Sequence, residues 1–411
     1  MFCLLKILFK QRYTVLGIKH CSAYFSRGTH NATAKENKLL SYLRAKIEAT
    51  GPISVADYMK EALAIPVTGY YMNRDVFGRS GDFITSPEVS QIFGELIGVW
   101  FYNEWQKVGR PKPLQLVEFG PGRGTLADDI LRTFSKVGTS GMDFSIHLIE
   151  ISPYLCHMQK SKLCYEENKY EDLYSKTFQT KYGFPVTWHP HLHTVPDSFS
   201  FFLAHEFLDV LPVHKFQKTD NGWKEILIDF RDGKLQYVLS RNTTPAAELL
   251  IDPSEKHDHV EISPEIGILL NDVCKRMKED GGITLIVDYG HYGEKTDTFR
   301  SFKNHKLHDP LEDPGEADLT VDVDFSYISK VAENKAVVIG PVTQRNFLSK
   351  MGIEIRLEQL MQGASVENQN SLKSGCDMLI NPEQMGERFK FLALYPLVLK
   401  DFLSRYPPPG F

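Results

Sequence analysis

Residues 114–137, LQLVEF-GPGRG-TLADDILRTFSKV, restrict the fold more than any other part of the chain. An apolar, strand-forming run leads through three closely spaced glycines into an amphipathic helical pattern. A strand joined to its helix by such a turn is the opening unit of a doubly wound α/β fold, and ligands lie at that turn. The glycines let a ligand approach the backbone and leave the helix's first N–H groups open to a carboxylate or phosphate. A dinucleotide fingerprint would space them GxGxxG. Here Gly124 follows Gly122 by two residues, and Glu118 precedes Gly120 by two. This spacing disfavours a dehydrogenase.

The flanking sequence supports a parallel sheet covered on both faces. FSIHLIE, PVTW, SFSFFLA and GITLIVD are short apolar runs, and SPYLCHMQKSKLCYEEN between the first two reads as a helix. Between SFSFFLA and GITLIVD, the turns Asp220-Asn221-Gly222 and Asp232-Gly233 divide residues 213–240 into three antiparallel strands. Upstream, residues 35–68 read as helical. Ser86-Pro87 is expected to open one long helix, with Ser86 as N-cap and Ile92, Phe93, Leu96, Ile97 and Trp100 forming its apolar stripe.

Charge is unevenly distributed. The whole chain of 411 residues carries −5, which argues against a general nucleic-acid binder, and no apolar run is long enough to span a membrane. Residues 1–34 hold five basic residues and no acidic one, the pattern of a mitochondrial transit peptide. Lys6 and Lys10 interrupt the apolar core that a secretory signal needs. The six scattered cysteines include no CxxC pair and read as free thiols in a reducing compartment.

Acidic residues at three places in the chain carry the chemistry. E-x-G-x-G-x-G resembles motif I of the class I S-adenosylmethionine-dependent methyltransferases. Glu150 ends the next strand, where a carboxylate can accept hydrogen bonds from both ribose hydroxyls of a nucleoside. After the fourth strand, where catalytic identity is usually legible in this fold, stands AHEFLDVLP with Glu206 and Asp209. Neither Asn-Pro-Pro-Tyr nor Asp-Pro-Pro-Tyr occurs, and no Pro-Cys dipeptide occurs, so amide, base-amine and cytosine-C5 methylation lack their usual signatures. Paired carboxylates suit a guanidinium, which is always charged and presents a planar fork of donors. Capping of the next segment is the bland role for the same two residues.

The blocks GDFITSPEVSQIFGELIG, LVEFGPGRGTL, LAHEFLDVLPVHKFQ, VDYGHYGEKTDTFR, HKLHD, DLTVDVDF and MGERFKF together resemble the MidA-like family. Mitochondrial members of that family are protein arginine methyltransferases that act as assembly factors for respiratory complex I. The resemblance implies a seven-stranded, Rossmann-like methyltransferase core, S-adenosylmethionine as cofactor, and symmetric dimethylation of an arginine on a core complex I subunit in the mitochondrial matrix. A cofactor-binding assembly chaperone whose methyl transfer is absent or secondary is the alternative. The expected cofactor residues are Glu118, Gly120, Gly122, Gly124 and Glu150, and the expected catalytic residues are Glu206 and Asp209. Asp82, Thr85, Ser86 and Glu88 would cover cofactor and acceptor. The expected organisation is a transit peptide (1–34), an N-terminal helical region (35–110), the core (111–290), a substrate-covering insertion (291–340) and a C-terminal completion of the core (341–411). Nothing in the sequence decides between a monomer and a homodimer.

Lesser features stay open. His189, His191 and His193 could bind a metal, but a solvated strand edge is expected, and no metal site is assigned. Asp318, Asp322 and Asp324 form either an acidic wall for a basic peptide or the outward face of an alternating strand. The roles of His305 and His308 are undefined.

Overall fold

The computed structural model describes residues 37–72, 74–76, 78, 81–82, 84–137, 142–165 and 173–411. The expected transit peptide, Cys3 and Cys21 lie outside the described residues. Seven strands form the core of the main sheet: β1 (Leu114–Phe119), β2 (Phe144–Ile149), β3 (Pro185–His189), β4 (Phe199–His205), β5 (Gly282–His291), β6 (Ala336–Thr343) and β7 (Phe389–Pro396). Their spatial order is β3-β2-β1-β4-β5-β7-β6, with β7 antiparallel to both neighbours and the rest of the set parallel. Thr177–Gln179 extends the sheet beyond β3, and Val323–Asp324 pairs with the end of β5. This is the class I methyltransferase arrangement expected from the sequence.

Burial of β1 on both faces explains its near-continuous apolar run. Leu114 and Leu116 join one core with Ile92, Phe93, Trp100 and Ile130, whereas Val117 and Phe119 join the opposite core with Leu270, Phe325 and Ile328. Alternation therefore sends Glu118 to the first of these faces.

The N-terminal region departs from a continuous helical reading. Helices α1 (Lys38–Thr50) and α2 (Val55–Ala64) are separated by the strand Ile53–Ser54, which pairs antiparallel with Leu227 and Ile228. Ser54 then caps α2 by accepting from Asp57 N–H. The three expected insertion strands, His214–Thr219, Gly222–Arg231 and Lys234–Leu239, join Ile53–Ser54 and His259–Ile262 in one five-stranded sheet.

The helix expected to start at Ser86 is also two. Helix α3 (Ser86–Val89) has Thr85, not Ser86, at its N-cap and ends where Ser90 takes extended dihedrals of −157° and 133°. Ser90 then caps α4 (Gln91–Lys107) through Ile92 N–H. The apolar stripe of α4 is buried as expected.

A third, three-stranded sheet (Arg300–Lys303, Lys306–His308 and Asp318–Thr320) lies within the insertion. No helix among the described residues is long and apolar enough to cross a membrane. Cys274 and Cys376 are buried free thiols.

Candidate active site

The glycine turn joins β1 to α5 (Thr125–Lys136). Gly120, Gly122 and Gly124 all have positive φ, at 58°, 54° and 78°, a conformation that favours glycine. Gly124 is the helix N-cap, and no side chain caps it. Gly120 has a second reason to lack a side chain: a Cβ there would lie 2.6 Å from Cδ2 of Phe207. The Phe207 ring stacks on Phe119 with centroids 5.7 Å apart, so the glycine turn touches the acidic loop after β4 directly.

Glu118 is buried, and its Oε2 has no hydrogen-bond partner among the described residues. Burial pushes its carboxyl up to about 8. Glu150, at the end of β2, is also buried and raised to about 7 by desolvation. Its Oε1 accepts from Ser152 N–H at 2.8 Å, and its Oε2 accepts from Gln159 Nε2 at 3.2 Å. Gln159, on α6 (Pro153–Leu163), also donates Nε2 to Gly122 O at 2.7 Å and accepts from Trp188 Nε1. This amide therefore sets the glycine turn and Glu150 in one frame, a role that sequence reading missed because a helical Gln carries no motif. Each Glu150 oxygen retains acceptor capacity for a hydroxyl.

The acidic loop leaves β4 at Glu206, which has a φ of +46°, unusual for a non-glycine residue. Its Oε1 accepts from Ser86 N–H at 3.0 Å, and burial raises the carboxyl to about 8. Asp209 is buried and raised chiefly by desolvation. Its Oδ2 accepts from the hydroxyls of Tyr289 and Thr320, while Oδ1 has no partner among the described residues. The loop backbone is held by Asp288, whose Oδ2 accepts from Phe207 and Leu208 N–H and whose Oδ1 accepts from Tyr289 N–H. Desolvation and the neighbouring Asp209 and Glu206 push Asp288 well up. His205 beside them is buried and lowered to about 3, so it is neutral and its 3.2 Å approach to Glu206 is no ion pair. Neither Glu206 nor Asp209 caps a following segment. Asp288 and Tyr289 were legible only as part of a resembling block, not as site residues.

The expected covering residues connect three parts of this site. Ser86 meets Glu206 through its N–H. Glu88 accepts from Arg123 Nη1 at 3.0 Å, and Asp75 takes the same guanidinium from Nε and Nη2, which ties the segment to the glycine turn. Asp82 accepts from Tyr70 hydroxyl and from Asn304 N–H at the hairpin tip. Thr85 contributes its carbonyl to the N–H groups of Glu88 and Val89.

Some expectations are corrected here. His189 is not on a solvated edge: it is buried and hydrogen-bonded to buried His147 at 2.9 Å, whereas His191 and His193 are exposed. The described residues contain no group of three or more ligands arranged for a metal. Asp318, Asp322 and Asp324 form neither a wall nor one exposed face. Asp318 is buried and accepts from Tyr71 hydroxyl, Asp322 pairs with Arg300 and Lys295, and Asp324 caps the next helix. His305 lies in the hairpin turn, where its N–H donates to Asp82 O, and His308 Nε2 lies 3.3 Å from Glu312 O.

Comparison with known proteins decides the family. The family model described as S-adenosyl-L-methionine-dependent methyltransferase matches residues 96–342. The chain belongs to this family. This methyltransferase is 51% identical over 393 residues to the mitochondrial protein arginine methyltransferase NDUFAF7 homolog of Drosophila melanogaster, covering 92% of this chain and 90% of that protein. It is 49% identical over 384 residues to mitochondrial protein arginine methyltransferase NDUFAF7 of Homo sapiens, covering 91% and 87%. Its fold matches a Burkholderia thailandensis protein solved bound to S-adenosylhomocysteine, with a TM-score of 0.71 and 24% identity over 87% of this chain and 91% of that one. The methyltransferase's own residues fit the cofactor: an open helix N-terminus, glycines at positive φ, an unpartnered buried Glu118 oxygen and Glu150 at the strand end.

Proposed function

We propose that this methyltransferase modifies arginine side chains of a protein, and that its acceptor is an arginine in a core subunit of respiratory complex I, dimethylated symmetrically in support of assembly. The observation that carries the arginine reading is the pair Glu206 and Asp209, two buried carboxyls on one short loop beside the glycine turn. The relatives' names, which specify arginine and mitochondria, support it, as does the acid-free basic segment 1–34, read as a transit peptide to the matrix.

Bound S-adenosylmethionine supplies a methyl group made electrophilic by its sulfonium. Glu118 and the turn Gly120, Gly122 and Gly124 would hold its amino-acid part, and Glu150 its ribose. Asp82, Thr85, Ser86 and Glu88 form the cover that joins the two halves of the site. Glu206 and Asp209 hold the acceptor's guanidinium by charge-assisted hydrogen bonds, each worth roughly 1.5–3 kcal/mol. Fixing one nitrogen in line with the methyl group lowers the barrier, an effect that reaches about 7–11 kcal/mol in well-oriented systems. In the ligand-free site burial keeps Glu206 protonated; a bound guanidinium would favour its ionised form, which could then take the proton that the methylated nitrogen sheds.

The test is mass spectrometry of complex I subunits from cells with and without the protein. A dimethylarginine present only with the active protein supports the proposal; an unchanged arginine inventory removes it. Gly122→Val, which crowds the cofactor turn, should abolish the modification. Complex I assembly that survives this variant would favour a chaperone role over catalysis.

A further inference from the structure

We propose that Tyr289 and Thr320 are positioning residues for methyl transfer, their hydroxyls occupying Oδ2 of Asp209 and leaving Oδ1 as the single oxygen available to the acceptor. The inference rests on the reading of Asp209 as a ligand of the guanidinium.

A carboxylate offers about four acceptor sites, two on each oxygen. At Asp209 both sites of Oδ2 are occupied: Thr320 Oγ1 lies 2.8 Å away, and the Tyr289 hydroxyl contacts this oxygen and Thr320 together. Oδ1 is buried without a partner among the described residues, and a buried acceptor in that condition is costly unless a ligand completes it. The asymmetry comes from two distant pieces of chain. Tyr289 follows Asp288 on β5, and Thr320 ends a strand of the insertion, where it lies opposite Arg300.

Both donors are themselves fixed. Tyr289 packs edge-on against Phe389, with centroids 5.5 Å apart, and the Arg300 guanidinium sits 5.3 Å from its ring. Asp209's own carbonyl accepts from Val321 N–H at 3.0 Å, so the insertion grips its backbone as well as its side chain. The insertion is therefore part of the site rather than only its cover. At Glu206, likewise, one oxygen is held by Ser86 N–H. Both carboxyls thus have one oxygen restrained by the protein itself.

The groups facing Asp209 oppose one another. Glu206 and Asp288 on the loop and β5, Asp318 on the insertion, and burial all disfavour its charge. The two hydroxyls and Arg300 favour it, with Tyr71 as a further neighbour. Removing either hydroxyl shifts this balance toward protonated Asp209, which donates a proton instead of receiving the guanidinium's.

The experiment measures initial rates of arginine labelling by full-length protein with saturating labelled S-adenosylmethionine. The acceptor is mitochondrial extract from cells lacking the protein, titrated to obtain relative kcat/KM at each pH. Tyr289→Phe and Thr320→Val should each lower kcat/KM by roughly ten- to a hundredfold at pH 7. Each should also move the acid limb of the profile to higher pH, with S-adenosylmethionine affinity by calorimetry unchanged. Thr320→Ser, which restores a hydroxyl, should return both rate and limb. A damaged fold would lower cofactor affinity without moving the limb. If Asp209→Asn abolishes labelling but Tyr289→Phe and Thr320→Val keep the wild-type limb, the positioning role is wrong and the arginine reading stands. If Asp209→Asn labels as well as wild type, or wild type labels no arginine, the underlying reading is wrong and this inference goes with it.

Discussion

Single residues at this site answer to neighbours far away in sequence. Gly120 is required by its φ of 58° and by Phe207, whose ring would meet any Cβ at 2.6 Å. Gly120→Ala should therefore destabilise the protein by about 1–3 kcal/mol, measured by urea unfolding. Adding Phe207→Ala should recover part of that loss, because the clash is relieved while the backbone strain remains. Purely additive effects would show that the ring is not the obstacle. Glu206→Gln keeps the shape but removes the group that can ionise against a bound guanidinium. It should leave S-adenosylmethionine affinity within about twofold and lower methylation by at least about a hundredfold, as expected for loss of one strong charge-assisted contact. Unchanged turnover would take Glu206 out of the site.

Elements show why some of this was legible beforehand and some was not. The β1–turn–α5 unit is local: an apolar run, three glycines and an amphipathic helix adjoin one another, and the structure places them as read. Glu150 was legible because it ends a strand, and the acidic loop because it follows one. The strand Ile53–Ser54 was hidden because it has two residues and its partners lie at 227 and 228, beyond any local pattern. The break at Ser90 was hidden because one extended residue costs little helical periodicity. His189 looked exposed in an alternating His-x-His run, yet pairing of β3 with β2 and a hydrogen bond to His147 bury it. Gln159 was invisible for the same non-local reason. Its replacement by Ala should weaken S-adenosylmethionine binding by about tenfold in calorimetry, since Gly122 and Glu150 lose a shared donor. Unaltered affinity would mean that turn and strand end hold their places without it.

At the scale of the whole molecule, the buried carboxyls make stability depend on pH. Glu118, Glu150, Glu206 and Asp318 are raised to about 8, 7, 8 and 8, so above their ordinary range the folded state holds more protons than the unfolded chain. Their effect is a loss of stability as pH rises toward 8. Buried His147, His189 and His205, lowered to about 3, 4 and 3, act oppositely, but only up to their usual 6.5. Because the raised carboxyls outweigh the lowered histidines even below pH 6.5, ligand-free protein should lose Tm from about pH 5 to pH 8, most steeply above pH 6.5, with a shallower fall in Glu206→Gln. A Tm that climbs across that interval would contradict the raised carboxyls. The strand order has a different consequence, one that concerns time. Since β7 inserts between β5 and β6, neither neighbour is paired along that side until residues 389–396 take their place. Roughly a hundred residues separate β5 from β7, and until β7 pairs, the open edge of β5 is a template for wrong partners. A chain truncated before residue 389 would therefore leave β5 with an unpaired edge, and is expected to aggregate rather than close its central sheet.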